Sequence, residues 1–330
     1  MRGADRVRRA CTSWLEAYAP DGPLIVACSG GADSLALVVA TCAAAGGRQV
    51  IGATVDHGLQ PGSAGRARFV AEQLRGLGCA DARVLTVTVE GDGGVEAAAR
   101  RARYPALATL ARSIDPAGVP VLLGHTADDQ AETVLLGLAR GSGPRSIAGM
   151  RPWRPPWGRP LLAVTRADTE DACRTAGLAP WRDPHNADPA FTRVRLRREV
   201  LPLLEDVLGG GVRDALVRTA ALMADDLDAL DRMAAGVLER ARDGAGALRI
   251  DDLAPEPTAV RRRVLRLWLA QSGAGALTYQ HLSRMDRQII DRAGPAQVRI
   301  PGGLDVWRTG GTLTIRPAGE PPEPGPRPAS

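Results

Sequence analysis

The stretch Leu24–Leu37, LIVACSGGADSLAL, constrains the fold more than any other part of the chain. An unbroken apolar run ends in a turn with paired glycines, and a helix-forming segment follows at once near Asp33-Ser34. A short run that is apolar on every residue reads as a strand buried on both faces, the habit of parallel sheets flanked by helices. Gly30 and Gly31 permit positive φ and close backbone approach, so successive N–H groups form a concave anion nest. The helix that follows adds its partial positive N-terminus. Ser29 and Ser34 can donate hydroxyls to phosphate oxygens, and Ala32 offers its amide. Asp33, a poor direct contact for phosphate, suits the Mg²⁺ that accompanies a nucleoside triphosphate. A plain strand–turn–helix corner with Asp33 or Ser34 as N-cap is the bland alternative. The fully apolar approach and the acid–hydroxyl pair favour the phosphate site.

The same alternation continues downstream. Val50–Val55, Val84–Val89 and Val119–Leu123 read as strands, between Ala- and Leu-rich segments Ser34–Ala45, Ala64–Leu77, Val95–Ala111 and Ala127–Ala139 that read as helices. The expected fold is α/β, a parallel sheet of about five strands with helices on both faces, and its ligands should sit beyond the carboxyl ends of the strands. Gly141–Pro160 reads as a loop, with helices at Arg166–Ala176 and Thr192–Leu204. Gly209-Gly210-Gly211 is the clearest punctuation in the chain. A catalytic domain over 1–208 is therefore expected, then a hinge and long linker helix over 209–246, and a small α+β C-terminal domain over 247–316. The Pro-rich segment Pro317–Ser330 reads as a disordered tail.

All 42 basic residues are arginine, against 37 acids, for a net charge of +5. Without lysine there is no protein Schiff base, no lysine nucleophile and no phosphate-loop ammonium. Arginine must meet any anionic substrate, and the excess is compatible with nucleic acid. Five cysteines with no C-x-x-C pair argue against a disulfide framework, a zinc ribbon or an iron–sulfur cluster. No apolar run approaches a membrane span and no signal peptide is legible, so a cytoplasmic protein with no membrane partner is expected.

Further polar groups follow the other strands and helices: Asp56-His57-Gly58, then Arg100, Arg103 and Tyr104, then His125-Thr126-Ala127-Asp128-Asp129-Gln130-Ala131-Glu132. Thr126 with Asp129 three residues on fits a capping box. Yet Asp128, Asp129 and Glu132 crowd three carboxylates into one turn beside the phosphate loop, which would repel a triphosphate unless a cation intervened. Two arginine clusters could meet RNA phosphate: Arg193, Arg195, Arg197 and Arg198, and Arg261, Arg262, Arg263 and Arg266 opposite an apolar face. An amphipathic helix with arginine on its wet side explains the second cluster equally well.

Ser29–Ser34 resembles the SGGxDS loop of the N-type ATP pyrophosphatases. Together with the blocks around Asp56, Arg103, His125–Glu132, Trp181-Arg182-Asp183 and Arg193–Arg197, the chain is similar to the tRNA(Ile)-lysidine synthetase family over roughly Leu24–Leu204. The resemblance implies an adenine nucleotide α-hydrolase-like fold and use of ATP with Mg²⁺. It implies adenylation of the wobble cytidine in the CAU anticodon of tRNA(Ile) and displacement of AMP by L-lysine, so that the codon read changes from AUG to AUA. It assigns Ser29, Gly30, Gly31, Ala32, Asp33 and Ser34 to the nucleotide, with Asp56 and His57 beside it and Asp33 on the metal. Asp129 and Glu132, with Asp128, are assigned to lysine. Asp33, Asp129, Arg103 and Arg193 are the expected catalytic groups, His125 with the clustered arginines faces the tRNA, and a homodimer is plausible. A tRNA thiolase or a non-catalytic RNA-binding relative are the alternatives. The chain departs from the family at His185 and at Val194.

Overall fold

The computed structural model describes residues 2–19, 21–90, 94–141, 143–183, 188–291 and 296–321, and its contacts divide the chain into two compact units, 1–224 and 225–330. In the first unit the strands are β1 (Leu24–Ala27), β2 (Val50–Asp56), β3 (Asp81–Thr86), β4 (Val121–Leu123), β5 (Trp153–Arg154) and β6 (Trp157–Gly158). They form one sheet in the order β3-β2-β1-β4-β6-β5, parallel throughout except that β5 runs against β6. The helices are α1 (Gly3–Tyr18), α2 (Ala32–Ala44), α3 (Ser63–Gly76), α4 (Val95–Ile114), α5 (Ala127–Ala139), α6 (Pro144–Ile147), α7 (Arg166–Thr175), α8 (Thr192–Arg195) and α9 (Leu201–Val207).

The period-two alternation of β1 feeds two cores. Leu24 and Val26 pack with Val7, Cys11 and Trp14 of α1 and with Leu35 of α2, while Ile25 packs with Leu107 and Ala111 of α4. Burial on both faces makes β1 apolar throughout. Strand order reverses between β1 and β4, and α/β sheets open a crevice beyond the strand ends at such a point. The phosphate loop, the His125 block and the end of β2 all emerge there.

Several local expectations shift. The third strand begins at Asp81 rather than Val84, pairing Ile51 with Asp81 through Asp56 with Thr86. It is an edge strand whose Val84 is exposed, so its apolar residues do not mark its bounds. The expected loop Gly141–Pro160 carries β5 and β6. The expected helix Thr192–Leu204 is α8 and α9 joined by a π-helical turn at Leu196–Val200. Helix α1 was not anticipated, although Val7, Cys11, Trp14 and Leu15 repeat at helical spacing.

Helix α10 (Val212–Ala241) follows the three glycines, each at positive φ, and the division between units falls within it rather than at the glycines. The second unit contains α11 (Ile250–Leu253), α12 (Thr258–Gln271) and α13 (Tyr279–Ile290) with β7 (Leu248–Arg249), β8 (Gln297–Ile300), β9 (Leu304–Thr309) and β10 (Thr312–Pro317). These strands form an antiparallel sheet, β7-β10-β9-β8, over a core that includes Val264, Trp268, Met285 and Val306. The expected tail starts too early: Pro317 pairs with Leu304, and the amides of Ala318 and Gly319 donate to Gly303 O and Asp305 Oδ2. Residues 322–330 lie outside the described residues. Among the described residues no helix is long and apolar enough to cross a membrane.

Candidate active site

The loop after β1 is built around Ser34. Its hydroxyl donates to Gly31 O at 2.9 Å, accepts from the Ser29 amide at 3.2 Å, and lies 3.3 Å from Ser29 Oγ. Gly30 sits at φ +82°, and a Cβ there would come within 2.9 Å of Val70 Cγ2 on α3, so both conformation and space require glycine. Gly31 caps α2 without any side-chain hydrogen bond, which leaves the amides of the first turn free to face an anion. Gly124, just past β4, lies so close that a Cβ would stand 3.1 Å from the backbone of Asp33 and Ser34. The nest and the His125 block therefore share one corner, as the sequence implies.

Asp33 does not stand alone. Its Oδ1 accepts from Thr169 Oγ1 at 2.5 Å and its Oδ2 lies 3.2 Å from Arg166 Nε. Burial raises its pKa, and the Arg166 guanidinium pulls the other way. The same guanidinium reaches Asp129 Oδ1 at 3.4 Å, and the Arg166 amide donates to Asp128 Oδ2 at 2.8 Å. Arginine in the first turn of a helix opposes the dipole. Here the three carboxylates offset that cost.

The acids of α5 separate by role. Asp129 is the N3 residue of the capping box: its Oδ2 accepts from the Thr126 amide at 2.8 Å and from Thr126 Oγ1 at 3.0 Å. Burial alone would raise its pKa, but Arg166 and the Thr126 amide hold the carboxyl below its ordinary range. Its other oxygen lies 3.4 Å from Arg166 Nη2 and 3.6 Å from Arg197 Nη2. Glu132 is fully buried, bound through Oε1 to Arg197 at 2.6 Å and facing Arg193 Nη1 at 3.5 Å. Burial raises its pKa. Asp128 is held by the Arg166 amide and by Arg213 at 3.3 Å. Only Asp129 of the three lines the cleft.

The opposite wall is cationic. Arg103 is depressed in pKa by burial, with Arg100 and Arg159 adding repulsion, and its Nε has no hydrogen-bond partner. Tyr104 packs between Arg100 and the Trp157 ring. Burial pushes His125 down to about 3, so it is neutral at physiological pH, and its Nδ1 is likewise unpartnered. His57, lowered by burial and by Arg103, follows Asp56, whose Oδ1 accepts from the Gly58 amide at 3.0 Å. Asp56, His57, Arg100, Arg103 and His125, with the phosphate loop, Arg166, Arg193 and Arg197, line one cleft of about 1350 Å³.

Arg166, Arg159 and Thr169 were missed in the sequence. Thr165 and Asp168 form a capping box that marks the start of α7, and an arginine just inside a helix N-terminus is a signal that an acid must face it. Among the expected RNA contacts, Arg198 is exposed and Arg195 pairs with Glu199 on the surface. Arg261 is a correction. It is 7% exposed, its Nε bound to Asp286 Oδ1 at 2.6 Å, so it serves the core of the second unit. Arg262 shares Asp286 at 3.4 Å and lies over the Tyr279 ring. Val194, where the chain departs from the family, is buried, and Pro184-His185 lie outside the described residues.

The glycine turn at the switch point of the parallel sheet thus faces both acids and arginines across one cleft. Residues 5–204 match the PP-loop domain family and residues 248–314 the TilS substrate binding domain. The chain is 53% identical over 317 residues to the tRNA(Ile)-lysidine synthase of Nocardia farcinica, covering 94% of this chain and 97% of that one. It is 55% identical to the enzyme of that name from Rhodococcus jostii, over 90% of this chain and 89% of that one. The chain belongs to the tRNA(Ile)-lysidine synthase family, and is a ligase. The U34-tRNA thiolase NcsA of Methanococcus maripaludis shares the fold, with a TM-score of 0.55 at 16% identity over 67% of this chain and 80% of that one.

Proposed function

We propose that this chain uses ATP to adenylate the wobble cytidine of tRNA(Ile) bearing a CAU anticodon, and that L-lysine then displaces AMP to give lysidine. One observation carries the reading: the phosphate nest and the cleft-facing acid Asp129 are tied together by a single side chain, Arg166. The triphosphate would lie on the amides of Gly30–Ser34 with the hydroxyls of Ser29 and Ser34. Asp33 fits Mg²⁺, which usually takes one or two carboxylates and completes its shell with phosphate oxygens and water. Such an ion would neutralise charge on the pyrophosphate leaving group.

Arg103 faces the charge that builds on the phosphoryl group in the first step and on AMP in the second, a task for which its lack of an acid partner prepares it. Asp129 is the acid positioned to meet an ammonium of lysine. It could also take the proton that the attacking amine must lose. Glu132 is positioned to act through Arg193 and Arg197, whose guanidinium groups it holds at the cleft wall. Asp128 plays a similar supporting part beneath Arg166. His125, neutral, suits a hydrogen bond to the extruded base. The thiolase alternative is disfavoured by the cysteines, since Cys11, Cys28, Cys79 and Cys173 are buried and Cys28 is engaged with Ser34. A cytoplasmic setting follows from the tRNA substrate, and a homodimer is compatible with this reading.

The test is incubation of the purified chain with labelled ATP, unmodified tRNA, lysine and Mg²⁺, followed by nucleoside mass spectrometry. AMP and lysidine should form together, fail on chelation of Mg²⁺, and fall by two or more orders of magnitude in Asp33→Ala and Asp129→Ala. Lysidine formed undiminished by both variants would overturn the residue roles.

A further inference from the structure

A chain without lysine must meet a triphosphate with arginine, and Arg103 stands on the His125 side of the cleft. On the side of α3 another arginine faces the phosphate loop. The Arg66 guanidinium lies over the Trp181 ring, its carbon 3.4 Å from the ring centroid, and both residues line the cleft. Its Nη1 is enclosed and has no hydrogen-bond partner. Among the described residues no carboxylate lies within ion-pair distance of it.

Both members of this stack are fixed to the loop itself. The Trp181 amide donates to Gly30 O at 2.9 Å, and Trp181 O lies 4.0 Å from the position of a Cβ on Gly31. Arg66 is one turn before Val70 on α3, and Val70 is the side chain against which Gly30 packs. A guanidinium held over an indole loses little freedom when an anion arrives, because its position is already restricted. We propose that Arg66, on the Trp181 platform, is a further binding residue for the terminal phosphates, the part that leaves as pyrophosphate. This inference rests on the assignment of the triphosphate to Gly30–Ser34.

Calorimetric titration of the full chain with inorganic pyrophosphate, ATP and AMP, each with Mg²⁺, tests it. Arg66→Met should weaken pyrophosphate and ATP about tenfold or more, the expected loss of one charge-assisted contact, while AMP changes less than about twofold. Arg66→Lys should recover part of the loss, and Trp181→Leu should reproduce part of it. Thermal unfolding checks that each variant is folded, and should Arg66→Met fail there, Arg66→Lys and Trp181→Leu carry the comparison. Unchanged pyrophosphate affinity would overturn the inference, as would an equal loss for AMP, which would mark Arg66 as a prop for the loop. Wild-type protein that binds neither ATP nor pyrophosphate would instead remove the loop assignment on which the inference stands.

Discussion

Two groups of arginines look alike in the sequence and do opposite work in the fold. On α12, Arg261 binds Asp286, Arg262 shares that carboxylate, and Arg263 binds Asp231 at 3.1 Å. In the first unit, the Nε atoms of Arg103, which lines the cleft, and of Arg159 have no partner, and each group feels Arg100 as a repulsive neighbour. An enclosed cation without an acid costs stability, and a protein keeps one where an anion will arrive. The first set is therefore part of the scaffold, and the second fits the proposed task of meeting an anionic substrate.

Removing one partner from the α12 set should produce the largest effect on folding. Both Arg261 and Asp286 have side chains only 9% exposed, so Arg261→Met leaves a buried carboxylate with only its longer contact to Arg262 at 3.4 Å. A loss of about 3–5 kcal/mol is expected for a broken buried pair. Urea denaturation of the variant should show it, and replacing both residues with apolar ones should recover much of it. If Arg261→Met instead leaves stability intact and weakens tRNA binding, the contrast between the two sets is lost.

The cleft set should respond the other way. Arg103→Met should slow AMP formation by about 10²–10³-fold, the range seen when one preorganised electrostatic group is removed from a transition state. Its melting temperature should hold or rise, because an enclosed guanidinium without an acid partner has been removed. Single-turnover kinetics beside a melting curve separates the two quantities. A variant that melts early and retains its rate would place Arg103 among the scaffold residues.

Much of this contrast was hidden from the linear chain, for a definite reason. The strand–turn–helix corner was legible because its parts are consecutive: an apolar strand, paired glycines, then an acid and a hydroxyl. The capping role of Asp129 was legible as well, since Thr126 stands three residues before it. Arg261 was misread because its acid lies 25 residues onward, and Arg263 because its acid lies 32 residues back, across separate helices. Arg166 was missed because its partners Asp33 and Asp129 come from two other elements, joined only when the sheet closes. The third strand slipped because an edge position leaves Val84 exposed and weakens the apolar pattern. Short-range chemistry could be read directly, whereas charge neutralisation depends on the tertiary fold.

The smallest effect concerns His125, which shares the cationic wall but escapes its charge. With a folded pKa pushed down to about 3, against an ordinary value near 6.5, the ring stays neutral in the folded protein while the unfolded chain takes up a proton as pH falls. Its contribution to stability is therefore complete above about pH 6.5 and drains away as pH drops toward 3. By pH 5 the loss should be on the order of 1–2 kcal/mol. His125→Gln removes this term, so urea midpoints measured at pH 7 and pH 5 should converge in the variant relative to wild type. In NMR spectra the His125 ring resonances should not move between pH 8 and pH 5. A titration near pH 6.5 would show a ring that charges as readily as an exposed imidazole, and the contrast between a neutral base contact and charged phosphate contacts would fail.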